Sequence, residues 1–189
     1  MKKSTLMLLL CLAAALVLAC TKQSLKTTYD KQTSYIESFV AAQLKADTNA
    51  TLLRNEGAWR ITLHDTLDRI YPDRDCLLWN GSVALYYACF TLTSSSLSAS
   101  NLVATNLKEM AEAAKWKLSD STNIFKLDTL KLNHDLVDGL RMGLYGVQPG
   151  DEGFILFTGE YGFGNTERGT IPARSALVYE YWIADVTNE

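Results

Sequence analysis

Residues 135–186, DLVDGLRMGLYGVQPGDEGFILFTGEYGFGNTERGTIPARSALVYEYWIADV, decide the fold of this chain. A leucine at every fourth position predicts one short helix over 135–145, with Leu136, Leu140 and Leu144 on one face. The helix is followed by a turn at residues 149–151 and an apolar strand at 153–158. A loop with glycines and aromatic residues at 161–169 then leads to a last strand at 176–186. One short helix among antiparallel strands is typical of the α+β class.

The chain upstream of this stretch shows further strand and helix patterns. The long apolar run Val83–Leu92 is rich in residues that favour strands and predicts a central strand. Alternating residues predict two more strands over Trp59–Leu63 and Asn123–Lys131. The segment Leu107–Leu118 has high helix propensity and predicts a short helix.

An amphipathic helix is expected near the N-terminus, beginning close to Tyr29 and ending before residues 47–49. Its apolar residues are spaced as one helix face: Tyr35, Ile36, Phe39, Val40 and Leu44. Residues 21–28 are polar, show no such spacing and are interpreted as a tether. The helix either packs on its own domain or binds a partner or a second copy, and the pattern leaves both open.

The first twenty residues have the pattern of an export signal. Residues 6–19 are apolar and uncharged, a run shorter than the roughly twenty residues that span a bilayer. The segment ends with Val-Leu-Ala-Cys at 17–20, which resembles a bacterial lipobox. The resemblance implies a signal peptide over 1–19, a lipid anchor on Cys20 and, because Thr21 follows instead of an aspartate, location at the outer membrane of a bacterial envelope.

These features predict three parts of the chain. They are the lipoprotein signal peptide over 1–19, a lipid-anchored tether and helix over 20–50, and one domain over 51–189. Removal of the signal peptide leaves 170 of the 189 residues, which fits the usual domain size of roughly 100–200 residues.

Composition excludes several classes of protein. The formal net charge of −3 argues against a nucleic-acid partner, which needs a basic face. The two histidines and four scattered cysteines lack the spacing of a zinc module, and the acidic residues between 64 and 75 lack that of a calcium loop. Cys76 and Cys89 either form a disulfide or remain free thiols, and the apolar strand around Cys89 favours free thiols.

Taken in order, the motifs of residues 135–186 resemble the FKBP-type peptidyl-prolyl cis-trans isomerase domain. The resemblance rests on Gly-Val-Gln-Pro-Gly-Asp at 146–151, Gly-Phe-Ile-Leu-Phe-Thr at 153–158, Tyr-Gly-Phe-Gly at 161–164, Ile171-Pro172 and Ala-Leu-Val-Tyr-Glu-Tyr at 176–181. The upstream half matches more faintly, through the strand with Tyr87 and through Phe125. The resemblance implies an antiparallel sheet wrapped around a short helix, here preceded by the N-terminal amphipathic helix.

The resemblance also implies an apolar pocket for proline. Carried over residue by residue, it assigns catalytic positions to Tyr87, Phe163, Ile171 and Tyr179, and substrate-binding positions to Phe125, Leu136, Val137 and Leu140. Resonance holds the X–Pro bond planar with a barrier of ~18–20 kcal/mol. A dry apolar pocket that favours the twisted amide lowers this barrier without an acid, a base or a nucleophile. No cofactor and no metal is expected.

Three departures from the FKBP pattern predict weakened or lost isomerase activity. Leu140 stands where the family usually has tryptophan, Phe163 replaces the tyrosine that donates a hydrogen bond to peptide, and Val103–Asn106 replaces the Phe-Asp-Ser segment. Two functions stay open. One is an isomerase acting on proline-containing peptides or exported proteins, and the other is a catalytically degraded lipoprotein that binds a peptide or protein. A structural lipoprotein with a closed pocket is a third, weaker reading.

Overall fold

The computed structural model describes residues 2–63, 75–118, 125–133 and 136–188, with side chains from residue 23 onward. The helices are α1 (Lys2–Ala46), α2 (Lys108–Ala113) and α3 (Asp138–Leu144). The strands are β1 (Thr51–Asn55), β2 (Ala58–Leu63), β3 (Ser82–Thr91), β4 (Leu102–Thr105), β5 (Asp128–Lys131), β6 (Glu152–Phe157) and β7 (Leu177–Thr187). In the part of the chain so described, no helix is long and apolar enough to cross a membrane.

The seven described strands form one sheet in the order β1-β2-β6-β7-β3-β4, with β5 paired to β3. Each of these pairings is antiparallel, so the predicted α+β class is confirmed. The apolar run around residues 83–92 is confirmed as the strand β3, which pairs with three neighbours. The strand expected over 123–131 begins only at Asp128, and its first two residues lie outside the described part of the chain.

The sequence predicted β2 but not β1, and it therefore did not predict the hairpin that these two strands form. Its tight turn is Glu56-Gly57, and both residues have positive φ, at 36° and 104°. A Cβ atom on Gly57 would lie 2.3 Å from the ring of Tyr161. The turn therefore needs glycine both for its backbone conformation and for the close approach of that ring.

Helix α1 is longer than the sequence pattern predicted. Residues 21–28, interpreted as a tether, are helical in the structure. The hydroxyl of Thr27 donates to the carbonyl of Gln23 at 2.9 Å, and the hydroxyl of Thr28 donates to that of Ser24 at 3.0 Å. Each hydroxyl thus bonds back to the carbonyl four residues earlier, which accommodates these polar side chains in a helix without an apolar face.

The C-terminal part of α1 packs on the face of the sheet that carries Ile61, Leu156 and Val178, called the convex face below. Ile36, Phe39 and Val40 are at most 3% exposed and share one apolar cluster with residues of β2, β6 and β7. The ring of Phe39 meets that of Phe154 edge-on, with centroids 5.2 Å apart. The structure therefore shows this helix packed on its own domain, the first of the two arrangements that the sequence left open.

Helix α3 lies on the opposite face, called the concave face below, where Leu140 and Leu144 share one apolar core with residues of β3, β6 and β7, and it lies very close to β6. A Cβ atom on Gly139 would come within 2.2 Å of the Phe157 side chain, and one on Gly143 would come equally close to Ile155. The Nη1 atom of Arg60, on β2, donates to two carbonyls at the C-terminal end of α3, Gly143 at 3.1 Å and Tyr145 at 2.7 Å. The two glycines and this arginine fix the helix against the sheet.

The two cysteines with described side chains are both free thiols. Cys76 is exposed and Cys89 is buried within the sheet. The expectation of free thiols is confirmed, because one cysteine lies on the surface while the other packs in the core.

Candidate functional site

An aromatic pair marks the concave face of the sheet. The register of β3 against β7 sets Cys89 opposite Tyr179 and Tyr87 opposite Tyr181. Because side chains alternate along a strand, all four point to the same face. The rings of Tyr87 and Tyr179 lie 5.8 Å apart, and Tyr179 also stacks on Phe157 with centroids 6.0 Å apart.

Helix α3 forms the floor beneath this aromatic pair. Leu140 is 5% exposed and belongs to the concave-face core, and the half-buried Leu136 and Val137 pack against the same core. The amide of Gly139 donates to the carbonyl of Tyr161 at 2.8 Å. This bond joins the first turn of the helix to the loop between β6 and β7.

That loop, residues 159–174, supplies the remaining apolar side chains and is called the aromatic loop below. Ile171 is buried and Phe163 half-buried, both in contact with the concave-face core. Arg168 and Ile171 form a bridge with two backbone hydrogen bonds of 2.9 and 3.0 Å. The hydroxyl of Thr170 donates to the carbonyl of Val103 at 3.2 Å, so the loop also touches β4.

The structure brings seven of the eight sequence-predicted pocket residues into this one cluster, namely Tyr87, Leu136, Val137, Leu140, Phe163, Ile171 and Tyr179. The eighth, Phe125, is half-buried but is not part of the cluster. Its neighbours Lys126 and Asp128 contribute instead to a cavity beside the cluster.

This cavity has a volume of about 440 Å³ and opens beside Tyr87. Its lining combines apolar side chains with a few polar ones: Tyr87, Val103, Ala104, Thr105, Asn106, Trp116, Lys126 and Asp128. Its volume lies within the range of roughly 300–1,000 Å³ that small-molecule sites occupy. Sequence reasoning assigned only Tyr87 to a pocket and missed the others, because their patterns carry no signal for a shared cavity.

Asn106 organises the cavity wall. Its Oδ1 atom accepts from the backbone amide of Tyr87 at 2.7 Å, while its Nδ2 atom donates to the carbonyls of Leu85 and Lys126, each at 3.0 Å. The side chain is 5% exposed, so these bonds satisfy a buried amide that would otherwise be costly. Asn106 thus fixes the backbone from which Tyr87 projects.

The titratable groups of the aromatic face are kept neutral at ordinary pH. Burial is the main cause that raises the pKa of Tyr87, and the charge of Asp128 adds to it. Burial likewise raises the pKa of Cys89 to about 12 and the pKa of Tyr179 well above its usual range. These hydroxyls and the thiol can exchange hydrogen bonds, but they are unsuited to act as bases or nucleophiles near pH 7.

The described residues contain no group of three or more His, Cys, Asp or Glu side chains that could hold a metal ion. What this face offers is shape, aromatic surface and a few hydrogen bonds. The expectation of Cys20 as a lipidation site falls on a residue whose side chain lies outside the described part of the chain.

The described residues thus form an antiparallel sheet with the short helix α3 and an aromatic cluster on the same face, the arrangement that the resemblance to FKBP-type domains implied. Solved structures of this fold resemble the chain closely enough to establish it. The three FKBP domains of wheat FKBP73 match at a TM-score of 0.54 with 11% identity, covering 74% of this chain and 52% of theirs. The chain thus spans about half of that wheat structure.

Two bacterial structures match over more of their length. A peptidyl-prolyl cis-trans isomerase from Pseudomonas syringae pv. tomato matches at a TM-score of 0.55 with 14% identity, covering 86% of this chain and 96% of that protein. FkpA from Escherichia coli matches at a TM-score of 0.53 with 11% identity, covering 92% of this chain and 68% of FkpA. No protein-family model and no curated protein sequence matches the chain. The resemblance to the FKBP-type domain is confirmed as a likeness of fold.

Proposed function

We propose that this protein is an FKBP-like peptidyl-prolyl cis-trans isomerase or folding helper for exported proteins. The observation that carries the proposal is the aromatic pair of Tyr87 and Tyr179, with centroids 5.8 Å apart, at the concave face and next to an open cavity of about 440 Å³. The Pseudomonas syringae structure is that of an isomerase, and similarity over 96% of its length supports the same activity here.

The chemistry required of the site is modest. Rotation about the X–Pro bond needs loss of amide resonance, and the twisted amide is less polar than the planar one. An apolar cleft formed by Tyr87, Phe163 and Ile171 would hold the proline ring and favour the twisted form. Donors such as the Tyr87 hydroxyl would orient the peptide, since a phenol is protonated near pH 7 and burial raises the pKa of this one further.

A second function is favoured by the side chains that replace the family's polar groups. Phe163 has no hydroxyl to donate to bound peptide, and Leu140 gives a smaller floor than tryptophan would. Ala104 pairs with Cys89 across β3 and β4 and presents no carboxylate there. A site with these residues would bind extended peptide or a partner protein while catalysing isomerisation slowly or not at all.

Exchange NMR on a panel of short Xaa-Pro peptides separates the two functions. The full chain in mild detergent is compared with Tyr87→Ala and Phe163→Ala. Tyr86→Ala is the matched control, because Tyr86 lies on the same strand but points to the opposite face. An isomerase gives catalysis that falls at least tenfold in both site variants and is unchanged in the control. Peptide binding without catalysis identifies the binding protein, and absence of both contradicts a proline-peptide site.

Export and lipid attachment at Cys20 belong to the same proposal. The apolar segment at 6–19 and the Val-Leu-Ala-Cys ending support them, together with placement at the bacterial outer membrane. Labelling with radioactive palmitate in a bacterial host should mark the chain and be lost in Cys20→Ala. Equal labelling of both chains would contradict the lipid anchor at this residue.

A further inference from the structure

The side chain of Gln32 connects helix α1 to both ends of the aromatic loop. Its Oε1 atom accepts from the amide of Gly159 at 2.9 Å, and its Nε2 atom donates to the carbonyl of Arg174 at 2.6 Å. One amide group thus satisfies a donor and an acceptor with a single orientation. The two partners lie 127 and 142 residues further along the chain.

The two ends of the loop are themselves held tightly together. A Cβ atom on Gly159 would lie 2.5 Å from the backbone of Arg174, so only glycine permits this approach. Arg174 adopts a φ of 62°, a conformation that non-glycine residues seldom take, and its Nε atom donates to the side chain of Asn165 at 2.6 Å. The bond from Gln32 stabilises this strained junction from outside the loop.

The junction sets the position of the two apolar side chains, Phe163 and Ile171, that the loop adds to the apolar cluster around Tyr179. The amide of Gly164 donates to the carbonyl of Gly159 at 2.9 Å, immediately after Phe163. At the other end of the loop, Ile171 is bridged to Arg168 and lies three residues before Arg174. A shift of the junction therefore moves both apolar side chains relative to the Tyr87–Tyr179 pair.

We propose that Gln32 is a positioning residue for the peptide-binding cleft, and that α1, through this residue, holds the aromatic loop in its binding conformation. The role rests on the proposed function, because the loop matters for peptide only if the cleft binds it. Gln32 packs on the convex side of the sheet and does not line the cavity beside Tyr87. Its effect on peptide is therefore indirect.

The test compares Gln32→Ala and Gln32→Glu in the full chain. The alanine variant loses both hydrogen bonds, whereas the glutamate variant keeps an acceptor for Gly159 and loses the donor to Arg174. Ser34→Ala is the matched control on the same helix, because its exposed hydroxyl bonds only to the carbonyl of Asp30.

Amide exchange and limited trypsin cleavage at the exposed Arg168 report on the loop. Two hydrogen bonds with typical net free energies predict a roughly tenfold or larger rise in loop opening for Gln32→Ala and no change for Ser34→Ala. Gln32→Glu should open the loop at least as much, because its carboxylate would face the Arg174 carbonyl in place of a donor. Exchange in the centre of β3 should stay unchanged, which a general loss of stability would not allow. Equal acceleration throughout the sheet would overturn the positioning role.

Peptide affinity gives the second readout. The Kd or KM for a proline peptide should rise in proportion to 1 + K, where K is the ratio of open to closed loop given by amide exchange, while turnover at saturating peptide is retained, because bound peptide selects the closed loop. A Kd that stays unchanged in Gln32→Ala, whether because the loop remains mostly closed or because its opening does not weaken binding, would overturn the positioning role alone. If the unsubstituted chain binds no proline peptide, the proposed function fails, and the role of Gln32 toward peptide fails with it.

Discussion

Replacement of Gly139 by alanine tests how closely helix α3 must approach the sheet. Alanine usually stabilises a helix relative to glycine by up to ~1 kcal/mol. Here the new methyl group would lie 2.2 Å from Cγ of Phe157, whereas ordinary contacts are 3.4–4 Å. The helix or the ring must therefore move by more than 1 Å. We expect this steric cost to exceed the gain in helix propensity.

The magnitude follows from the two opposing effects. Overpacking of a well-packed core costs about 1–3 kcal/mol. The gain from helix propensity is reduced because Gly139 lies in the first turn of α3. The expected net loss in the free energy of unfolding is about 1–2 kcal/mol. Because Leu140 moves with the helix, proline-peptide affinity should fall as well.

Urea denaturation followed by tryptophan fluorescence measures this loss. Gly162→Ala is the matched control, since its Cβ atom would lie 3.4 Å from the same phenylalanine ring and its φ is not positive. Combining Gly139→Ala with Phe157→Leu should cost less than the sum of the two single changes, because the smaller side chain relieves the clash. A neutral or stabilising Gly139→Ala, or strict additivity with Phe157→Leu, would refute the close-packing argument.

Four further outcomes are expected. With Cys11 and Cys20 replaced by serine, a thiol reagent should modify the exposed Cys76 within minutes and the buried Cys89 only on unfolding; rapid loss of two thiols would contradict the buried position. Asn106→Ala should lower the free energy of unfolding by about 2–4 kcal/mol in urea titrations, because it leaves buried backbone groups unpaired, and a loss below 0.5 kcal/mol would argue against the network. Phe39→Ala should cost about 3–5 kcal/mol and Ser38→Ala almost nothing in the same titrations, and equal effects would mean that α1 does not pack on the sheet. The folded-state pKa of Cys89, about 12, lies above an unfolded value of about 8.5, so its contribution to the free energy of unfolding is complete below pH ~8.5 and is lost as the pH rises toward the folded value. Cys89→Ala should therefore flatten the decrease of that free energy between pH ~8.5 and 10. An unchanged slope would exclude the Cys89 thiol as its cause.

Local sequence patterns were sufficient for the main elements of the fold. The apolar run of β3 and the four-residue leucine spacing of α3 each depend on neighbouring residues alone, so both elements were predicted. The motif order over residues 135–186 also predicted most of one apolar cluster. The helical conformation of residues 21–28 was not predicted, because this polar segment has no apolar periodicity, and its role as a tether remains a prediction.

The sequence by itself determined the apolar run of β3 and the apolar faces of α1 and α3, and with them the α+β class. The tertiary structure decided what those faces meet. Asn106 reaches Tyr87 only because β3 and β4 pair, and Trp116 enters the cavity only because α2 follows β4. Gln32 contacts the aromatic loop from a helix more than a hundred residues away. Such contacts join segments distant in sequence, and no local periodicity records them, because they arise only when the chain closes into one sheet.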